Sequence, residues 1–157
     1  MKKLFALILT VCLLASMSTT AFAANTTGGS TEVSFNVDPT YTVTIPATVL
    51  LERQEDNGTV TYENDYTIEA VAGVRLKKNE YIEVTVASDF EMTTTEGATL
   101  AYTITAENAA VANNGVVATF GTDKNAQSTT IHIAANDPDY AGEYKDTVTF
   151  TVAVKTK

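Results

Sequence analysis

The sequence predicts an all-β protein, an antiparallel sandwich of about seven to nine strands. Three observations lead there. Apolar and polar residues alternate with period two over most of the chain. Turn-forming residues such as Asn57-Gly58, Lys78-Asn79 and Asp38-Pro39 separate the alternating runs. The third is the lack of any long apolar stripe at helical spacing. Only residues 106–114 (AENAAVANN) suit a single helical turn, and that segment is expected to be mainly loop.

The elements follow in order. Residues 1–23 combine a basic start at Lys2 and Lys3, an apolar run, and the small-residue site Ala21-Phe22-Ala23. That pattern predicts a secretory signal peptide cut between Ala23 and Ala24. Residues 24–30 form a polar, glycine-containing tether, and residues 31–157 a single sandwich domain. Val33, Phe35 and Val37 share one face of a first strand-like segment, and Tyr41, Val43 and Ile45 share a face of a second. A turn at Asp38-Pro39 would fold residues 31–37 back beside residues 40–45. Alternatively, the tethered segment would add to the open sheet edge of a neighbour.

Asn57-Gly58 predicts a two-residue hairpin turn, because both residues tolerate positive φ. Val60, Tyr62, Tyr66 and Ile68 follow it. Ile82, Val84 and Val86 define a clear strand, as do Leu100, Tyr102 and Ile104, and then Ile131 and Ile133. Val117 and Phe120 give a weaker one. In the last run, Val148, Phe150, Val152 and Val154 alternate with Thr147, Thr149, Thr151 and Ala153. The β-branched residues of both sets fit a pleated surface, valine toward the core and threonine toward water. This closing strand is expected at the centre of a sheet or near its edge.

Composition narrows the function. The formal charge is −9, and removal of Lys2 and Lys3 with the signal makes the remainder more acidic. Such a chain repels nucleic acid and anionic membranes, so neither is an expected partner. The one cysteine, Cys12, leaves with the signal, so no disulfide is expected. His132, the single histidine, lies between Ile131 and Ile133 and should face solvent. With no nucleophile elbow in the sequence, it points to no hydrolase triad. No cofactor motif occurs.

Acidic residues gather at Glu52, Glu55 and Asp56, and again at Asp137, Asp139, Glu143 and Asp146. Solvated turns explain both groups. The second is also the candidate calcium site, since calcium takes six to eight oxygen ligands. Tyr62, Tyr66, Tyr140 and Tyr144 are the candidate platforms for a sugar, with burial expected for most of them.

Two phrases, "YTVTIPATVLLE" and "DYAGEYKDTVTFTVAV", resemble small secreted surface proteins of Gram-positive bacteria. The hairpin pattern Gly142-x-Tyr144-x-Asp146-x-Val148 is similar to the end of spore-coat-U and fimbrial-type domains, and to phrases in WxL-type wall-binding domains. The chain has no tryptophan, so the Trp-x-Leu signature is absent, and it carries no LPxTG sorting motif. The resemblance implies an immunoglobulin-like sandwich exported to the cell surface for structure or adhesion, with no catalytic residue. Its partners would be other surface proteins, cell-wall material or itself. The alternatives are a secreted carbohydrate-binding module and a subunit of a donor-strand fibre.

Overall fold

The computed structural model describes residues 32–157, so the signal peptide, its cleavage site at Ala23 and Ala24, and the tether fall outside the described residues. Residues 36–157 form one compact unit. Its ten strands are β1 (Val43–Thr44), β2 (Glu52–Asp56), β3 (Thr59–Ala70), β4 (Glu80–Ala87), β5 (Glu91–Thr93), β6 (Thr99–Ala106), β7 (Ala109–Ala110), β8 (Gly115–Phe120), β9 (Gln127–Asn136) and β10 (Thr149–Thr156). All pairings are antiparallel. One sheet runs β1-β3-β9-β6-β5, with β2 on β3 and β7 on β6, and the other runs β10-β4-β8. No helix of the described residues is long and apolar enough to cross a membrane.

The core is the inward face of the alternating runs. Ile68, Ile82, Val84, Val86 and Ile131 are fully buried, with Ile104, Val117 and Phe120 nearly so. At Asn57-Gly58 both residues have positive φ (50° and 81°), the conformation a tight hairpin requires. Strand β8 was weak in sequence because of a bulge. The register on β4 shifts between Val84 and Thr85, so the consecutive Val117 and Ala118 are both buried and the alternation breaks.

Several expectations are corrected. Residues 106–114 form no helical turn: they are the β6–β7 hairpin, turning at Glu107 and Asn108, both at positive φ. Glu52, Glu55 and Asp56 lie in strand β2 rather than in a loop. Residues 32–39 form no strand, and the fold-back on residues 40–45 is not made. A two-residue turn at Asp38-Pro39 is disfavoured because proline pushes the preceding residue toward extended geometry. Thr40 instead exchanges two backbone hydrogen bonds with Arg75, at 2.9 and 2.8 Å. Val33 and Phe35 are 90% and 88% exposed.

Among the described residues the closing strand is an edge strand. Residues 137–148 do not make a hairpin, because β9 and β10 belong to different sheets, and this segment crosses between them.

Candidate functional site

In an immunoglobulin sandwich one sheet carries strands A-B-E-D and the other C-F-G. Here β1-β3-β9-β6 reproduces the first order, and β4 and β10 take the C and F positions. Beyond β10, where G belongs, no strand stands among the described residues. The gap shows in the side chains. Phe150 and Val152 on β10 are only half-buried, and Val154 is 38% exposed, although its partner Ile82 is fully buried. Val43, Ile45, Val49 and Leu51, in and after β1, also pack on the core while remaining half-exposed. Phe150 stands edge-on to Tyr66 of β3, with ring centres 6.3 Å apart. The Tyr66 hydroxyl is buried without a hydrogen-bond partner among the described residues, and burial pushes its pKa up to about 12. The site is therefore a patch of partly buried apolar side chains beside a strand edge with no partner among the described residues.

The crossover that delivers β10 to this edge is fixed at each position of the sequence pattern. Gly142 lies against Thr94, whose Cγ2 would stand 2.8 Å from an added Cβ, so a larger residue there would force the Thr94 side chain to shift. The Tyr144 hydroxyl donates to the Tyr140 carbonyl at 2.9 Å, four residues upstream, which is the tyrosine corner of immunoglobulin-type E–F crossings. Lys145 and Thr93 exchange two backbone hydrogen bonds. The Asp146 carboxylate accepts from the Tyr102 hydroxyl (2.6 Å), the Ser88 hydroxyl (2.7 Å) and the Thr147 amide (2.6 Å). Ser88 also accepts from the Phe90 amide at 2.8 Å. Phe90 is held at φ 59°, an uncommon conformation for a bulky residue, with its ring edge-on to Tyr102.

Burial pushes the Asp146 carboxyl up, but the Tyr102, Ser88 and Thr147 hydrogen bonds outweigh it and hold the group below the ordinary range. Burial first, and then the hydrogen bond to Asp146, raises the Tyr102 phenol. The folded state thus prefers ionised Asp146. The stability this confers is complete above the ordinary carboxylate range near pH ~4 and is lost as pH falls through the lowered value. Urea melts from pH 7 to 3 are expected to show an acid-sensitive component that disappears in Asp146→Asn. An identical pH profile in the variant would rule this out.

The other predicted residues separate. Asp137 and Asp139 stay in the crossover loop, Glu143 pairs with Lys145 at 2.8 Å, and Asp146 turns to Tyr102. No three His, Asp or Glu side chains assemble a metal-binding group among the described residues. Of the tyrosines, Tyr66 is buried, Tyr62 and Tyr144 are half-buried, and Tyr140 is 70% exposed.

His132 does face solvent, as alternation requires. Its Nδ1 is 2.8 Å from Asp65 and its Nε2 3.5 Å from Glu63. Both ring nitrogens therefore face carboxylates of β3. The pairing follows from the register that sets Asp65 opposite His132. Residues 67 positions apart carry no local signal of that contact.

Fold and edge define an immunoglobulin-like sandwich with no strand at the G position among the described residues. No family model matches the chain, and no curated protein matches it either. Among solved structures, a chaperone–tip adhesin complex of CFA/I fimbriae biogenesis is similar at 15% identity, with a TM-score of 0.53. The match covers 74% of this chain and 42% of that one, so the chain spans less than half of its neighbour's length. The P pilus rod subunit PapA is similar at 10% identity over 68% of this chain and 100% of its own, with a TM-score of 0.48. The first likeness shows a shared fold.

Proposed function

We propose that this is a secreted, non-enzymatic surface β-sandwich of a Gram-positive bacterium, structural or adhesive in role, which joins its neighbours by accepting a strand along β10. The carrying observation is that no strand pairs with the outer side of β10 among the described residues, where half-buried Phe150 and Val152 and exposed Val154 stand. An added strand supplies backbone hydrogen bonds to an edge that has none on that side among the described residues, and its alternate side chains cover the apolar patch. Residues 32–37 of a second copy fit this description. Val33, Phe35 and Val37 are exposed at alternate positions, and each apolar side chain fully buried contributes about 1.5–3 kcal/mol. The likeness to a chaperone–tip adhesin complex supports a fibre-related role.

The test uses a synthetic peptide of residues 32–38 added to purified protein. Binding is expected to raise the melting temperature, and a peptide with Val33 and Phe35 replaced by asparagine is expected to have no effect. Equal shifts with both peptides, or none with either, would sink the strand-acceptor reading.

A further inference from the structure

A cleft of about 570 Å³ lies away from the β10 edge, between the β5–β6 turn and the crossover loop. Thr94, Thr95, Glu96, Tyr140, Gly142 and Glu143 line it. We infer that this cleft is a binding site for a neutral saccharide, with the Tyr140 ring as its platform and the Glu96 and Glu143 carboxylates as acceptors for sugar hydroxyls.

Tyr140 is the first reason. A tyrosine 70% exposed is a large apolar surface left in water, and no side-chain hydrogen bond anchors its hydroxyl among the described residues. The second reason is rigidity. The Tyr144 hydroxyl holds the Tyr140 carbonyl, Gly142 packs on Thr94, and Lys145 is bonded twice to Thr93. The β5–β6 turn is closed internally, with the Thr94 amide donating to the Ala98 carbonyl at 2.9 Å and the Gly97 amide to the Thr94 carbonyl at 3.0 Å. A preformed cleft that sets polar side chains around an aromatic face offers a small ligand both kinds of contact.

The chemistry of the walls selects the ligand. Around the cleft the Thr94 amide bonds the Ala98 carbonyl, the Gly97 amide bonds the Thr94 carbonyl, and Thr93 and Lys145 bond each other, so the walls are set by their side chains. What the cleft offers is an aromatic face, the Thr95 hydroxyl and carboxylate acceptors. A sugar ring presents a C–H face to the first and dense hydroxyl donors to the others. Glu96 and Glu143 repel an anionic ligand, although Lys145 offsets Glu143 at 2.8 Å, so the ligand is a neutral sugar rather than a sialylated or sulfated one.

This site deepens the adhesive part of the proposed function and does not depend on strand addition. The full-length secreted protein is applied to a printed array of neutral hexose and N-acetylhexosamine oligosaccharides, with sialylated counterparts alongside. Binding to neutral glycans is expected, reduced at least about ten-fold in Tyr140→Ala and changed less than about three-fold in Tyr140→Phe. Neither substitution touches the Tyr140 carbonyl that anchors the loop, and an unchanged melting temperature confirms that the fold is intact. Glu96→Gln is expected to weaken binding too. Silence on every neutral glycan, a preference for sialylated ones, or full binding by Tyr140→Ala would overturn the assignment. Assembly of the same samples, followed by size-exclusion chromatography, reports separately on the strand-acceptor reading.

Discussion

Deletion of residues 24–37 is expected to abolish multimers and to leave a folded, monomeric domain. The expectation follows from two features of the described chain. Residues 32–39 contribute no strand, and residues 36–157 already form a compact unit with its own core. Had residues 31–37 paired with residues 40–45, their loss would have removed an intrinsic strand and unfolded the protein. The deletion therefore separates a donor segment from a structural one. Circular dichroism and size-exclusion chromatography of the two proteins at matched concentration are the measurements. An unfolded truncation, or one that multimerises like the full chain, would end the proposal. Adding the 32–38 peptide to the truncated protein should raise its melting temperature without restoring fibres, because a free peptide caps the edge and links nothing.

Ile82→Ala is expected to destabilise the domain by about 2–5 kcal/mol, and Phe150→Ala by only about 1.5–3 kcal/mol despite the larger side chain. Ile82 is fully buried at the centre of the three-stranded sheet, between Val154 of β10 and Phe120 of β8. Phe150 faces the same core from a strand with no neighbour on its outer side among the described residues, and remains half-exposed. Thr149→Ala, on the solvent face of β10, is expected to cost well under about 1 kcal/mol. Urea melts of the three variants give the order directly. A Phe150→Ala loss as large as that of Ile82→Ala would mean that the edge is already covered in the isolated protein.

The period-two pattern made most of the core legible. Ile68, Ile82, Val84, Val86, Ile104 and Ile131 are buried where alternation placed them. Alternation specifies which face of a strand is apolar, but it is silent on which strands are neighbours. For that reason the closing strand read as a sheet member of uncertain position, whereas its place at an unpaired edge depends on long-range topology. The Gly142-Tyr144-Asp146 pattern was visible, yet its meaning lay in Thr94, Tyr102 and Ser88, which are distant in sequence. The β2 strand was missed because all five of its residues are exposed and polar, so no apolar face announced it. Of the tyrosine platforms, Tyr140 stands out only through exposure, a property of the fold rather than of the letters.

The pairing of β10 with β4 bears on mechanical load. The two strands are in register from Thr149 opposite Ala87 to Thr156 opposite Glu80, a continuous antiparallel ladder. A neighbour attached along the outer edge of β10 would transmit tension parallel to the strands. The ladder would then be sheared, with its hydrogen bonds loaded together instead of being peeled one after another from an end. An edge strand that pairs along its whole length on one side is thus suited to pass a pull from one subunit into the sandwich of the next.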